Sequence, residues 1–442
     1  MPATTDGPTF APPCGPVEGW IDGTVIRATG IPYATAERFQ EPVPLPDRDE
    51  PIAATSWSPA CPQNETRLTE YMLGGGPESL PQDENCQRLS ITIPAGTRPG
   101  DRLPVMVWVH GGSYVAGAGD MPLTDPVRLV TEQRVIVVSI TYRLGLFGYL
   151  GGGGRPANLG LLDQAEAFRW VLRNIDAFGG DGGNVTAFGQ SAGGDAILHL
   201  LAAAKGERLF HKAIVQSAPL GIARGRQRMT AAMLRAAQGF DPAAPTAAVL
   251  DLERKVIRAG ARYGLRSTMP FGIQYGHHPV PDEAKVEAAW NTAVDVPLLI
   301  GTTAGETRFF VPAVPLLHSL SRIPFLGNSL ITAISGVLSR IVYGAGADRF
   351  ARRHAHGGGS AHRYTITWSA PGNHFGSAHT IDLPLLLGDE EVWRDAPILS
   401  GATWKQVDRA GKAIRMMWAD FARGSDLPDR IIIPGVLRIK RN

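Results

Sequence analysis

The chain has 442 residues, 44% of them hydrophobic and 19% charged, with a formal net charge of +2. That apolar content excludes a disordered chain, and so small a positive balance over this length gives no field for a nucleic acid. Three cysteines, Cys14, Cys61 and Cys86, are too few for a disulfide scaffold and have no metal-ligand spacing.

Residues 1–13 carry no basic segment followed by an apolar core, and no run of about 18 uninterrupted apolar residues occurs anywhere. The expectation is a soluble cytoplasmic protein without stable membrane anchoring. A chain of this length buries a large core without staples, and residues 1–442 read as one domain.

In chain order, residues 15–44 read as short strands and turns punctuated by Gly and Pro. Leu103–His110 (LPVMVWVH) is a nearly continuous apolar run ending in Gly111-Gly112, and Val135–Tyr142 (VIVVSITY) is a second. Gly151–Gly154 reads as a flexible loop, since no phosphate-binding glycine pattern opens a helix there. Leu161–Phe178 has helical apolar spacing and ends at Gly179-Gly180. Val185–Phe188 (VTAF) is a third strand, Ala192–Ala204 a helix opening directly after it, and Lys212–Gln216 and Val296–Ile300 are further strands. Strands of this composition without alternation suit burial on both faces of a parallel sheet, and their alternation with helices predicts an α/β fold. The stretch 311–343 is apolar but broken by Pro312, Pro315 and Pro324. It fits cap helices over a site, a surface amphipathic patch, or core-facing helices.

The sharpest motif is Gly189-Gln190-Ser191-Ala192-Gly193, a GxSxG between the strand VTAF and a helix. A nucleophilic serine needs this context: a tight strand-to-helix turn projects its hydroxyl, and small flanking residues let strand and helix approach. The helix N-terminus adds positive dipole character for a developing oxyanion. His110-Gly111-Gly112-Ser113 follows the strand VMVWV, and its glycines free backbone N–H groups. Together with the N–H of Ala192, those of Gly112 and Ser113 are expected to form an oxyanion hole.

These motifs resemble those of the type-B carboxylesterases, the family of cholinesterases and p-nitrobenzyl esterases. The resemblance runs from about Gly15 to Gly424 and includes GIPYA from Gly30, Cys61-Pro62-Gln63, Glu84-Asn85-Cys86, NLGLLDQ from Asn158 and FGGDGGNVTAFGQSAGG from Phe178. It implies an α/β-hydrolase fold, with a large, mostly parallel sheet flanked by helices and cap helices over the site (311–345), and ester hydrolysis through Ser, Glu and His.

The base must follow the serine and acid in this fold. His379, in GSAHTIDLP, resembles the family's histidine segment; His374 is the runner-up, while His354, His356 and His362 read as solvated in a Gly-rich loop. The segment GTTAGETRFF after the strand Val296–Ile300 resembles the family's acid segment and places the acid at Glu306; Asp295 falls at the wrong end of that strand. Arg143 with Asp163, and Arg38 with Glu84, match ion pairs of the family. Ser217 matches a serine bonded near the acid, with simple core packing as its other reading. Cys61 and Cys86 match the family's first disulfide.

Departures are informative. Gln190 replaces the usual glutamate before the serine, Ser113 stands where Gly or Ala is usual, and Asn85 replaces Asp. The loop between Cys61 and Cys86 has Tyr71 but no Trp to hold a quaternary ammonium, so choline esters are not expected as preferred substrates. The segments around Glu306 are compact, which implies a pocket either more open than usual or partly rebuilt by 311–343. The function expected is hydrolysis of small to medium acyl or aryl esters through an acyl-enzyme. Gly111, Gln190 and Ser217 support the site, and no metal or organic cofactor is required. The partner is a small-molecule ester; oligomeric state is not readable. The same machinery would serve amides, carbamates, lactones or, with an amphipathic lid, lipids. A non-catalytic cholinesterase-like binding protein is disfavoured because all three candidate triad residues are retained.

Overall fold

The computed structural model describes residues 7–66, 71–74, 80–203, 206–314, 319 and 327–442. Its frame is an eleven-stranded sheet. The strands are β1 (Trp20–Asp22), β2 (Val25–Pro32), β3 (Arg88–Pro94), β4 (Leu103–Val109), β5 (Ile136–Thr141), β6 (Gly180–Gln190), β7 (Lys212–Gln216), β8 (Leu298–Thr303), β9 (Ala361–Ile366), β10 (Arg430–Ile433) and β11 (Leu437–Arg441). Their spatial order is β10-β11-β9-β8-β7-β6-β4-β5-β3-β2-β1. The centre, from β5 to β9, is parallel, and both margins are antiparallel.

Strand β4 shows how the sequence builds two cores. Val105, Val107 and Val109 face one hydrophobic cluster, which includes Leu161 and Phe168 of α2 (Leu159–Asn174) and Ile197 of α3 (Ala192–Ala203). Met106 and Trp108, on the alternate face, join the other cluster with Ile414 and Trp418 of a long C-terminal helix, Trp404–Arg423. That helix begins in a capping box between Thr403 and Gln406 and ends at Gly424 in the left-handed conformation. A shorter helix, α1 (Val127–Gln133), lies on this second face as well.

Several expectations change. The sequence left β9 to β11 unread because these short segments, rich in charged residues, become strands only through successive pairing, β9 on β8, β11 on β9 and β10 on β11. His362 is buried on β9, and His354 is buried on a helix rather than solvated in a loop; only His356 is exposed. Gly151–Gly154 is a turn anchored at one end, where Gly151 donates to Gln274 Oε1 at 2.7 Å and accepts from its amide at 3.2 Å.

Of the stretch 311–343, residues 315–318 and 320–326 lie outside the described residues. The remainder contains α4 (Gly327–Ser339), which runs through a π-helical turn, Arg340–Gly344, into α5 (Ala345–His356). Ile331, Ser335, Val342 and Tyr343 are buried, whereas Leu330, Val337 and Ile341 are exposed, so the segment is both core-facing and amphipathic. Among the described residues, one helical run, Ser329–His356, is long and apolar enough to cross a membrane, yet its α5 half is pinned to the sheet by Arg363 of β9, which donates to Asp348 at 2.9 Å. The Trp404–Arg423 helix is α6 hereafter.

Candidate active site

Ser191 sits between β6 and α3 with φ 57°, the left-handed region that strains a non-glycine residue. Its N–H donates to Gln216 O of β7 at 2.8 Å, and Asp195 N–H returns to Ser191 O at 3.0 Å to start the helix. The glycines are required by crowding. A Cβ on Gly193 would lie 2.0 Å from Val109 O, and one on Gly189 2.7 Å from the same atom. Gly111 packs against the turn itself, since its Cβ would meet Gln190 O at 2.7 Å and Ser191 Cβ at 3.2 Å.

The loop after β4 passes beside the serine with three successive positive φ angles: 107° at Gly112, 56° at Ser113 and 61° at Tyr114. It is tied down by Val115 N–H to Gly112 O (2.9 Å), Gly117 N–H to Gln63 Oε1 (2.8 Å) and Tyr114 Oη to the buried Asp195 Oδ2 on α3 (2.7 Å). Among the described residues the N–H groups of Gly112, Ser113 and Ala192 meet no acceptor. His110, stacked on Tyr142 with centroids 4.3 Å apart, is pushed down to about 4 by burial and so stays neutral above that pH.

His379 comes from the loop after β9. Its Nδ1 lies 2.6 Å from Glu306 Oε2, and its backbone N–H donates to Glu306 O at 3.1 Å. Glu306 follows β8 and is fully buried. Its Oε1 accepts from Ser217 Oγ at 2.6 Å and from Thr303 N–H at 2.7 Å, so the carboxylate is fixed on three sides. The bonding reading of Ser217, rather than simple packing, is the one observed. Nε2 of His379 lies 3.2 Å from the Gln190 side-chain amide nitrogen. Ser191 Oγ itself makes no hydrogen bond among the described residues.

Ser191, His379, Gln190, Gly112 and Ser113 line one narrow cavity of about 70 Å³. Aromatic rings enclose the imidazole: Phe309 at 6.0 Å, Phe310 at 5.9 Å and Tyr343 at 5.0 Å between centroids. Phe309 and Phe310, which directly precede the stretch 311–343, and Tyr343 at its end thus narrow the pocket around the imidazole. Phe309, Phe310 and Tyr343 were missed as site residues because an aromatic residue in an apolar run has no spacing that separates a pocket wall from core. The Tyr114–Asp195 bond was equally silent.

The other expected residues fall as follows. His374 is exposed and its ring lies against Phe375, away from Glu306. Asp295 is exposed and pairs with Arg208. Arg143 meets Asp163 through two bonds of 2.8 and 2.7 Å, and Arg38 Nε meets Glu84 at 2.7 Å. Tyr71 is exposed. Cys61 and Cys86, which the family resemblance pairs as a disulfide, are free buried thiols, and interaction with the Cys61 thiol, followed by burial, pushes the Cys86 thiol well up. Among the described residues no three His, Cys, Asp or Glu side chains cluster as metal ligands do.

A parallel-centred sheet with a serine on the strand-to-helix turn, and an acid and a histidine after later strands, defines an α/β hydrolase. The chain belongs to the carboxylesterase family, whose model matches residues 7–321. It is 37% identical over 433 residues to a probable N-octanoylanthranilate hydrolase of Rhodococcus erythropolis, covering 95% of this chain and 94% of that one. It is 31% identical to the para-nitrobenzyl esterase of Bacillus subtilis, covering 92% and 88%. A solved thermophilic p-nitrobenzyl esterase superimposes with a TM-score of 0.76 at 29% identity, over 96% of this chain and 93% of that one. The protein is a carboxylic-ester hydrolase of the serine type.

Proposed function

We propose that Ser191 is the nucleophile, His379 its general base and Glu306 the orienting acid, with the N–H groups of Gly112, Ser113 and Ala192 as the oxyanion hole. The observation that carries this reading is the 2.6 Å bond from His379 Nδ1 to Glu306, which leaves Nε2, contacted by the Gln190 amide, as the ring nitrogen on the side of the cavity that Ser191 lines. Nε2 takes the Ser191 proton as Oγ attacks the ester carbonyl. The tetrahedral oxyanion is held by the three N–H groups. Protonated His379 then delivers its proton to the leaving alcohol, giving the acyl-enzyme. Water, deprotonated by the same nitrogen, releases the carboxylic acid and restores Ser191.

The substrates are small to medium acyl or aryl esters, a class that suits a narrow, aromatic-walled pocket. The π-helical turn bearing Tyr343 acts as part of a cap. A second reading, cleavage of aryl amides by the same residues, is favoured by the relative named for hydrolysing an N-acyl compound. Hydrolysis of a p-nitrophenyl ester series and of matched p-nitroanilides, with Ser191→Ala as control and an organophosphate adduct mapped by mass spectrometry, tests both. An adduct on any residue other than Ser191 overturns the site; anilide turnover at rates matching the esters selects the second reading.

A further inference from the structure

The outer margin of the sheet gathers positive charge on one face. Arg363 of β9 stands directly opposite Lys440 of β11, and Lys440 opposite Arg430 of β10. Two residues further along, Thr302 of β8 stands beside Thr365, Thr365 opposite Arg438, and Arg438 opposite Ile432. Directly opposed residues, and residues two apart on a strand, share a face, so Arg363, Arg430, Arg438 and Lys440 project to the same side. They line a cleft of about 710 Å³, closed on its other side by Arg340 and Asp348 from the helical segment above.

The charge there is not balanced. Asp348 accepts from Arg363 at 2.9 Å and approaches Arg340 at 3.5 Å. Glu306 reaches the inner end, but its carboxylate is already bound by His379, Ser217 and Thr303. Asp426 and Asp429 approach Arg441, which alternates to the opposite face. Arg430, Arg438 and Lys440 form no ion pair among the described residues. Like charges directly opposed in a sheet are destabilising. With a net charge of only +2 on the whole chain, this is a local concentration and not a basic surface in general. Thr302 adds a hydroxyl that is open to the cleft. It is 6% exposed, lines the cleft, and its hydroxyl has no partner among the described residues.

We propose that this cleft binds a multivalent small anion of the phosphate or carboxylate class, charge-matched by Arg430, Arg438 and Lys440, with the Thr302 hydroxyl as donor at the inner end. Neighbouring strands lie about 4.8 Å apart, so Arg438 of β11 and Thr302 of β8, with β9 between them, stand roughly 10 Å apart. A single orthophosphate is too small to engage both; pyrophosphate is a fitting probe. Charged edge strands also discourage edge-to-edge pairing, and that role alone requires no bound ligand.

Isothermal titration of the full chain with pyrophosphate separates the two. The expected result is saturable one-site binding that weakens with added salt, falls at least tenfold in Arg438→Gln/Lys440→Gln and in Arg430→Gln on the outermost strand, and falls several-fold in Thr302→Val. Circular dichroism checks that each variant is folded, and Arg430→Gln carries the test if the double variant is not. A second arm uses phosphatidylcholine vesicles containing phosphatidylglycerol: co-sedimentation lost in the same variants names a lipid headgroup as the anion's source, and no co-sedimentation names a free solute. Absence of saturable pyrophosphate binding, or binding unchanged in the folded variants, overturns the proposal.

Discussion

The side-chain amide nitrogen of Gln190 lies 3.2 Å from Nε2 of His379, on the nitrogen that faces the serine's cavity. An amide N–H can donate only to an unprotonated ring nitrogen, so this contact matches the tautomer with its proton on Nδ1, toward Glu306. In the proposed mechanism the Nε2 lone pair receives the Ser191 proton, so the contact yields when substrate enters.

Replacing Gln190 by Glu exchanges a donor to the neutral ring for a carboxylate that favours the imidazolium. An opposite charge at this range favours the charged form by about one pH unit or more. Because the base works only when neutral, the acid limb of the kcat/KM profile is expected to move to higher pH by about that amount. Profiles of wild type and Gln190→Glu with a short-chain p-nitrophenyl ester check this; superimposable acid limbs would remove Gln190 from the mechanism.

Glu306→Gln preserves size but offers an amide where Nδ1–H needs an acceptor, and favours the wrong tautomer of His379. A drop in kcat of about a thousand- to ten-thousandfold is expected, with KM nearly unchanged, since the lost interaction acts on the transition state. Steady-state kinetics on p-nitrophenyl acetate measure the split. A change confined to KM contradicts the assigned role.

Tyr114→Phe removes the donor to Asp195 Oδ2, while Asp195 Oδ1 already lacks a partner. Leaving a buried carboxylate less satisfied destabilises by about 1–3 kcal/mol. The bond also spans from the strained loop proposed to form the oxyanion hole to α3, so kcat is expected to fall more than KM changes. Urea unfolding monitored by fluorescence gives the first quantity, and ester kinetics the second. Loss of stability at constant kcat would mean that the other ties suffice to hold the loop.

Glu253 is pushed up to about 7, chiefly by burial, while donors from Leu146 N–H (2.9 Å) and Asn64 (3.2 Å) oppose the shift. A folded-state value above the unfolded one means that the native protein binds the extra proton between about 4.5 and 7. The contribution to stability is therefore complete below about 4.5 and lost as pH rises through about 7. Glu253→Gln is expected to flatten that part of the profile, changing the difference between variant and wild type by up to about 3 kcal/mol across the window. Urea midpoints at pH 4.5, 6 and 8 provide the check; parallel curves contradict it.

The central strands and the turn bearing Ser191 were legible in the sequence because each depends on local rules, whereas His379 and Glu306 were picked out only by the resemblance of their segments to those of the family, and the structure brings the two side chains within 2.6 Å of each other. Strands buried on both faces need unbroken apolar runs, and a sharp strand-to-helix turn needs small residues around its serine. The triad's order follows from the fold. The remainder depends on contacts between distant segments. β9 to β11 carry polar residues whose strand state is decided by pairing, which is why His362 looked solvated and is buried. Tyr343 faces His379 because a π-helical turn directs it there, and an apolar run cannot encode which side meets an imidazole. The Gln190–His379 contact and the cationic face formed by Arg363, Lys440 and Arg430 arise only when strands and loops far apart in the chain are set side by side. Local propensity and periodicity act over a few residues, whereas register, burial and electrostatic surroundings are properties of the packed whole.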